Sequence, residues 1–433
     1  LEWEAKFEPN SFGFRPGRSC HDAVEQIFQT IKQKAKYVLD ADIAKCFDQI
    51  DHEALLRKLN TFPTLRRQIK AWLKAGVIDS SEYTNRHKSR TVDPTLKATP
   101  QGGVISPLLA NIALHGMETA LLGAFPKRNA PNIIRYPEDF VVLHENLTVV
   151  QECQQIVAES LKCMGLELQP SQTRISHTKY EGNVGFDFLG FNIRQHPVGK
   201  YQTGKVTGKP LGFKTIITPS KEKLKAHTDD IGTIIRPNKS ASQAELIAKI
   251  NPIIRGWSNY YSSVVSQASY SKADPITYDQ LRTWADHRHP DKSKTWVSKR
   301  YWHKIGTKSW GFATRNEAGM QLLRHADPPI KRQVQIRERS PYDGDWVYWS
   351  NRRGNYPGTP KAVAALIKSQ NGKCSHCGQY FASDSLIEVH HKDKNRAFNK
   401  KENLTLVHRH CHDIIHGAAN EVLEERWLDE HPF

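Results

Sequence analysis

Val38-Leu39-Asp40-Ala41-Asp42-Ile43-Ala44-Lys45-Cys46-Phe47-Asp48 reads as a strand that runs into acid. The buried strand is expected over Tyr37–Ile43. Carboxylates in such an apolar setting are costly unless they are paired or bind a cation. Further along, Ile133-Ile134 and Phe140–Leu143 flank the polar segment Arg135–Asp139. That pattern predicts a hairpin with Tyr136-Pro137-Glu138-Asp139 at its tip. Two acid-bearing strand ends side by side would hold two metal ions, which suits nucleotidyl transfer. Asp40, Asp42 and Asp48 at the strand end, and Glu138 and Asp139 at the hairpin tip, are the carboxylates on offer. Acidic turns are common, so each piece alone says little.

Around this stretch, Ala23–Lys34 has helical periodicity, and Val104–Leu122 reads as one apolar helix entered through Ser106-Pro107. Mixed helix and strand signals predict an α+β layout for the first part. Pro197–Pro210, rich in Gly and Lys, reads as a loop, and Ser220 to about Lys304 as helical. Between Arg282 and Lys308 lie eight Lys or Arg against Asp286 and Asp291. Trp284, Trp296, Tyr301, Trp302 and Trp310 are interleaved with them. Cations for phosphates and flat rings for bases suit single-stranded nucleic acid. The competing reading is a helical bundle with a basic face and its tryptophans inside. Pro341–Pro360 reads as a linker ahead of a compact C-terminal module.

A chain of 433 residues exceeds one core, so several domains are expected. Hydrophobic residues at 38% and charged residues at 25% exclude a disordered chain. The formal net charge of +17 points to a polyanionic partner, nucleic acid first. No apolar run reaches the length of a membrane span. Cys20, Cys46, Cys153 and Cys163 are scattered, whereas Cys374, Cys377 and Cys411 lie near the C-terminus. That is no disulfide framework, and a reducing compartment is expected. The chain starts at Leu1 with no basic-then-apolar leader, so it reads as a fragment or an internally started chain without an export signal.

Cys374-Ser375-His376-Cys377 is a CxxC knuckle, and His408-Arg409-His410-Cys411 follows about thirty residues later. Two thiolates from one turn, with an imidazole and a thiolate from another, make a tetrahedral zinc site. His410 could replace His408, because alternate residues cannot easily both face one ion. Between the turns lies Glu388-Val389-His390-His391, after an apolar-rich stretch, Tyr380–Val389, that reads as a hairpin. Asn403-Leu404 and then His412 and His416 follow. Four residues apart, the last two share a helix face. With a third imidazole from the strand they can hold one divalent metal, leaving the adjacent histidine to act on water.

At these residues the module, about Asn371–His416, resembles the HNH endonuclease family. The resemblance implies a ββα fold around a metal, His391 as general base, and His390, His412 and His416 as ligands of a divalent ion, Mg2+ by expectation. Asn403 would orient the loop that carries the base. A purely structural zinc ribbon is the alternative, but it needs none of these extra histidines.

The order of the other pieces carries a second resemblance. Ser11-Phe12-Gly13-Phe14-Arg15-Pro16-Gly17-Arg18-Ser19 comes first, then Asp42 to Phe47, then Pro100-Gln101-Gly102-Gly103-Val104-Ile105-Ser106-Pro107-Leu108. Tyr136–Asp139 and Phe188-Leu189-Gly190-Phe191 follow. The series resembles the reverse transcriptase domain of group II intron-encoded proteins. Asn251-Pro252-Ile253-Ile254-Arg255-Gly256-Trp257-Ser258-Asn259-Tyr260-Tyr261 resembles their maturase domain, or thumb. The resemblance implies an α+β multidomain chain. A reverse transcriptase palm over 1–195 would precede an α-helical thumb/maturase domain and basic stretch over 196–310. A linker (311–360), an HNH module with its zinc knuckle (361–420) and a tail (421–433) would complete it.

The implied palm uses Mg2+ at Asp42, Glu138 and Asp139, with Phe47 gating the sugar and Gln101 near template and nucleotide. Intron RNA and target DNA are the implied partners, with Arg255, Trp257, Tyr260, Lys292, Lys294, Lys299 and Arg300 as contacts. The nuclease would nick one strand of the target and give a primer for reverse transcription, in the bacterial cytoplasm at the nucleoid. Three departures imply an impaired polymerase. Glu138 stands where the family's Tyr-x-Asp-Asp has its first Asp, and is longer by about 1.5 Å. Gln172 before Thr173 stands where the family has Lys. The chain also begins inside the family's second motif, which would leave the fingers incomplete. The alternatives are a non-catalytic RNA-binding splicing maturase and a still-active RNA-directed DNA polymerase.

Overall fold

The computed structural model describes residues 2–74, 77–78, 92–93, 103–180, 184–199, 201–206, 208–305, 308–315, 320–336, 339–343, 345–355, 359–382, 385–395 and 398–417. Gln101 and the tail from 418 lie outside them. The chain divides into two compact units. One comprises Glu2–Phe14 and Arg18–Ile336; the other comprises Leu1, Arg15–Gly17 and Arg337–Phe433.

The acid-bearing strand is Tyr37–Ala41, shorter than expected because Asp42 already leaves the ladder. It lies inside an antiparallel sheet with strands in the order Asn132–Tyr136, Asp139–His144, Tyr37–Ala41, Arg174–His177. Val38 and Leu39 point to opposite faces and both are fully buried, so the sheet is covered on both sides. The helix Leu147–Lys162 supplies Val150, Cys153, Val157 and Leu161 to the same core as Leu39, Phe140 and Val142. Tyr136 pairs with Asp139, so Pro137-Glu138 is a two-residue hairpin turn.

The single apolar helix expected over Val104–Leu122 is two helices, Ser106–Leu114 and Met117–Ala124. The break falls at Gly116, whose φ of 99° is open to glycine and strained for other residues. Beyond this sheet and its helices, Phe213–Pro219, Phe191–Pro197 and Phe186–Phe188 form a second antiparallel sheet. Within 197–210, expected as loop, Lys205–Val206 pairs with Lys209–Pro210.

Four helices follow: Lys221–Ile235, Gln243–Tyr260, Gln267–Arg288 and Lys294–Tyr301. Ser220, Ser242 and Ser293 cap three of them, and Ser242 forms a capping box with Glu245. Trp284, Tyr301 and Trp302 lie in the core of this bundle with Leu246, Leu281 and Phe312. Base stacking by those three rings is therefore corrected: each is at most 7% exposed. Among the described residues no helix is long and apolar enough to cross a membrane.

In the smaller unit, the stretch 341–360 expected as linker holds a helix, Trp346–Asn355, in which Trp349 is fully buried. A second helix, Lys361–Ser369, precedes the cysteine knuckle. The hairpin expected over Tyr380–Val389 is instead formed by Ile387–His391 and Leu404–His408, followed by a helix over 409–417. Leu404–His408 carries the buried Leu406 and Val407 that Ile387–His391 needs as a partner. The Gln370 side chain ties the helix end to this strand. Its Nε2 donates to Leu406 O (2.9 Å), and its Oε1 accepts from Leu406 N (2.7 Å).

Candidate metal centres and nucleic-acid interface

Cys374 and Cys377 lie in the turn after Lys361–Ser369, His408 ends its strand, and Cys411 is in the first turn of the helix that follows. One donor atom from each of the four lies within 4.8 Å of the others. Cys377 Sγ is 3.4 Å from His408 Nδ1, and the His408 backbone N–H donates to Cys374 Sγ at 3.4 Å. Burial, and then the neighbouring Cys377 and Cys374, push the Cys411 thiol up to about 12. Sulfurs crowded together, two of them buried and Cys377 exposed, are what a bound cation stabilises. Three thiols and one imidazole are a donor set for structural zinc. His410, the alternative ligand, is exposed and stacks on His408 with ring centroids 5.1 Å apart.

His390, His412 and His416 form a second group within the same 4.8 Å limit. His412 and His416 are one helical turn apart with ring centroids 4.4 Å apart. His390 is 8% exposed, and its Nδ1 is buried with no hydrogen-bond partner. An orphaned imidazole nitrogen beside two others fits a cation, which would satisfy it. Burial, then His416 and His412, hold the His390 imidazole below its ordinary range and keep it neutral, the form that ligates. Glu388 Oε2 lies 3.2 Å from His412 Nδ1 and fixes that ring.

His391 borders a cleft of about 250 Å³ together with Glu388, Lys394, His412 and His416. Its Nε2 donates to Asn399 Oδ1 at 2.9 Å, which leaves Nδ1 as the acceptor. Asn403 is buried and ties the loop between the strands. Its Nδ2 donates to Asp393 Oδ1 (2.7 Å) and Phe398 O (2.8 Å), and its Oδ1 accepts from Asp393 N (3.0 Å). Sequence reasoning gave no role to Asn399 or Glu388. Glu388 was accessible, since two residues before His390 on a strand is the same face; nothing local marked Asn399.

In the larger unit, Asp42 Oδ1 accepts from the Ile43 N–H at 2.9 Å, just past the end of strand Tyr37–Ala41. Burial, then Asp42, Glu138 and Asp40, push the Asp139 carboxyl up to about 7. Burial also raises Asp42 and Glu138, and Glu138 Oε2 is buried without a partner. The three carboxylates thus share one electrostatic environment. They are not among the groups whose ligand atoms converge within 4.8 Å in the described residues. Arg135 holds the hairpin from behind, a role the sequence did not reveal. It donates to Ser11 Oγ (2.7 Å), Pro137 O (3.1 Å) and Asn111 Oδ1 (3.2 Å). Gly13 lies so close to the turn that an added Cβ would sit 2.5 Å from Pro137. Phe47 is half-buried, with its ring 6.3 Å from that of Phe14.

Among the expected nucleic-acid contacts, Arg255, Lys292, Lys294, Lys299 and Arg300 are exposed. Trp257 and Tyr260 are half-buried. Trp257 stacks on His227 (4.4 Å, 7°), and Tyr260 donates its hydroxyl to Leu189 O at 3.3 Å. Among the interleaved rings whose side chains are described, Trp296 stays out, 41% exposed with Lys292 Nζ 5.8 Å from its centroid; the Trp310 side chain lies outside the described residues.

Residues 1–193 match the family described as reverse transcriptase (RNA-dependent DNA polymerase), and residues 224–302 match the group II intron maturase-specific domain. A reverse transcriptase domain followed by a maturase domain defines the class. The chain belongs to the group II intron-encoded reverse transcriptase/maturase family. It is 28% identical to the group II intron-encoded protein LtrA of Lactococcus lactis subsp. cremoris, over 74% of this chain and 63% of that protein. It is 29% identical to protein YkfC of Escherichia coli (strain K12), over 44% of this chain and 56% of that protein. The chain thus spans less than two thirds of the length of these relatives. Apo telomerase from Candida tropicalis, truncated from its C-terminal domain, superimposes with a TM-score of 0.34 at 13% identity, over 43% of this chain and 39% of that one.

Proposed function

We propose that this chain binds group II intron RNA through its maturase domain and nicks target DNA with its C-terminal module, as an HNH endonuclease. The observation that carries the nuclease reading is the convergence of His390, His412 and His416, the last two of which line one cleft with His391. A divalent cation held by the three histidines would supply positive charge to the scissile phosphate. His391, with its Nε2 proton committed to Asn399, presents Nδ1 to take a proton from the attacking water. Asn403 pins the loop that carries Asn399, and so positions the base. Zinc held by Cys374, Cys377, His408 and Cys411 would contribute folding energy to the module. The exposed cations Arg255, Lys292, Lys294, Lys299 and Arg300 would meet phosphates.

The palm supports a weaker polymerase centre. Asp42, Glu138 and Asp139 repel one another in partial burial, a charge that Mg2+ would neutralise there. Glu138 reaches about 1.5 Å further than aspartate, and errors of about 1 Å at a reacting centre cost roughly 100-fold. Plasmid nicking with and without divalent metal, beside primer extension on an RNA template, tests the whole reading. Metal-dependent nicking that His391→Ala lowers by about 10²–10⁴-fold, with metal content unchanged, is expected. Full nicking by His391→Ala, or robust primer extension by the chain, would overturn it.

A further inference from the structure

We infer that a pocket in the helical part of the larger unit holds one amino-bearing nucleobase of the bound RNA, with Asp274 as its hydrogen-bond acceptor and Tyr278 as its stacking platform. This rests on the reading that the maturase domain binds RNA. The pocket has a volume of about 460 Å³, within the range of roughly 300–1,000 Å³ that small-molecule sites occupy. Its floor is apolar: Ile254, Leu281, Trp302, Phe312 and Leu322. Asp274, Tyr278 and Arg324 stand in its wall. Three polar or charged groups over an apolar floor describe a site for a flat ring with a polar edge.

A buried relay orients the acid. His325, fully buried, donates from Nδ1 to Asp274 Oδ1 at 2.5 Å, and its backbone N–H donates to the same oxygen at 3.2 Å. Its Nε2 then accepts from His227 Nε2 at 2.8 Å, and the His227 ring lies flat on Trp257. Burial, then His325, hold His227 down at about 3, so His227 stays neutral in its stack on Trp257. Both donors go to Oδ1, and among the described residues no donor reaches the other oxygen. The Asp274 side chain is 36% exposed at the pocket, a fixed acceptor with one oxygen to spare.

That oxygen selects for a donor. Adenine, cytosine and guanine offer an exocyclic amine at the edge of the ring; uracil's one ring donor, N3–H, lies between two carbonyl oxygens that a carboxylate repels. The Tyr278 ring is 44% exposed and sits 5.3 Å from Trp302, so one face is free to stack. Lys299 and Arg300 lie exposed between the lining residues Ser298 and Trp302, where the flanking phosphates would run.

The test uses the full chain and ten-nucleotide oligouridines whose central base is U, A, C or G, read by fluorescence anisotropy. The A, C and G oligomers should bind about tenfold tighter than all-U, the factor for one hydrogen bond to a charged group. Asp274→Asn keeps the oxygen that His325 needs and turns an amide N–H toward the pocket, so the preference should reverse toward U. Tyr278→Ala, at an exposed position, should weaken A, C and G binding about tenfold and so erase their preference over all-U. Equal binding of all four oligomers would overturn the pocket while RNA binding stood. No binding of any oligomer would overturn both. Loss of affinity in Asp274→Asn with the same base preference would make Asp274 structural and sink the assignment.

Discussion

Asn403→Ala should loosen the loop between the two strands of the C-terminal hairpin without unfolding the module around it. The side chain is 5% exposed and makes three hydrogen bonds, to Asp393 N, Asp393 Oδ1 and Phe398 O. The exposed Asp393 carboxylate is resolvated when its bond is lost, so that bond counts least. The two backbone groups regain water only by opening the loop. At about 1 kcal/mol for each, plus a fraction for the third, the loop loses about 2–3 kcal/mol. The neighbouring backbone bond from Lys392 N to Asn403 O (2.8 Å) survives the change and limits the opening to the loop. Local opening should therefore rise about 30- to 150-fold. Hydrogen exchange of amides 392–400 in the full chain reads this directly, with amides 404–407 as the internal control. Nicking should fall with it, because Asn399 and hence His391 lose their fixed position. Unchanged exchange in 392–400 would refute the role of Asn403 as the tie. Faster exchange throughout 404–407 would show that the substitution acts on the fold instead.

Cys377→Ser should strip zinc from the module and unfold it, since structural zinc contributes roughly 10 kcal/mol or more; metal analysis and limited proteolysis check this, and wild-type zinc content would disprove the ligand set. Replacing Lys292, Lys294, Lys299 and Arg300 by alanine should flatten the salt dependence of RNA binding, as each phosphate contact contributes about −0.7 to −0.9 to the log–log slope. An unchanged slope would remove this surface from the interface. With metal chelated, Asp139→Asn should stabilise the larger unit above about pH 7 and make little difference near pH 4. The folded carboxyl, at about 7, lies above its ordinary 3.8. Between those values the native state keeps a proton that the unfolded chain has released, so stability falls as pH rises through that window. Urea titrations at three pH values decide it, and a parallel pH profile for both proteins would mean Asp139 is not strained.

The sequence by itself determined what acts over a few residues. The CxxC turn, the four-residue spacing of His412 and His416, the strand of Val38 and Leu39, and the hairpin tip at Tyr136–Asp139 are local geometry. So is the order of motifs that defines the family. Tertiary structure decided what depends on partners distant in the chain. It placed strand Tyr37–Ala41 between Asp139–His144 and Arg174–His177, and so set Asp42 beside the hairpin acids. It brought His408 rather than His410 to the cysteines. Basic stretches with interleaved aromatics read alike whether the rings face base or core, because composition carries no direction. Packing against Leu246 and Phe312 turned Trp284 and Trp302 inward and left Trp296 outside. The Asp274–His325 pair spans 51 positions and had no sequence signal at all, since periodicity and propensity fade within a turn or two, whereas burial joins any residues the fold brings into contact.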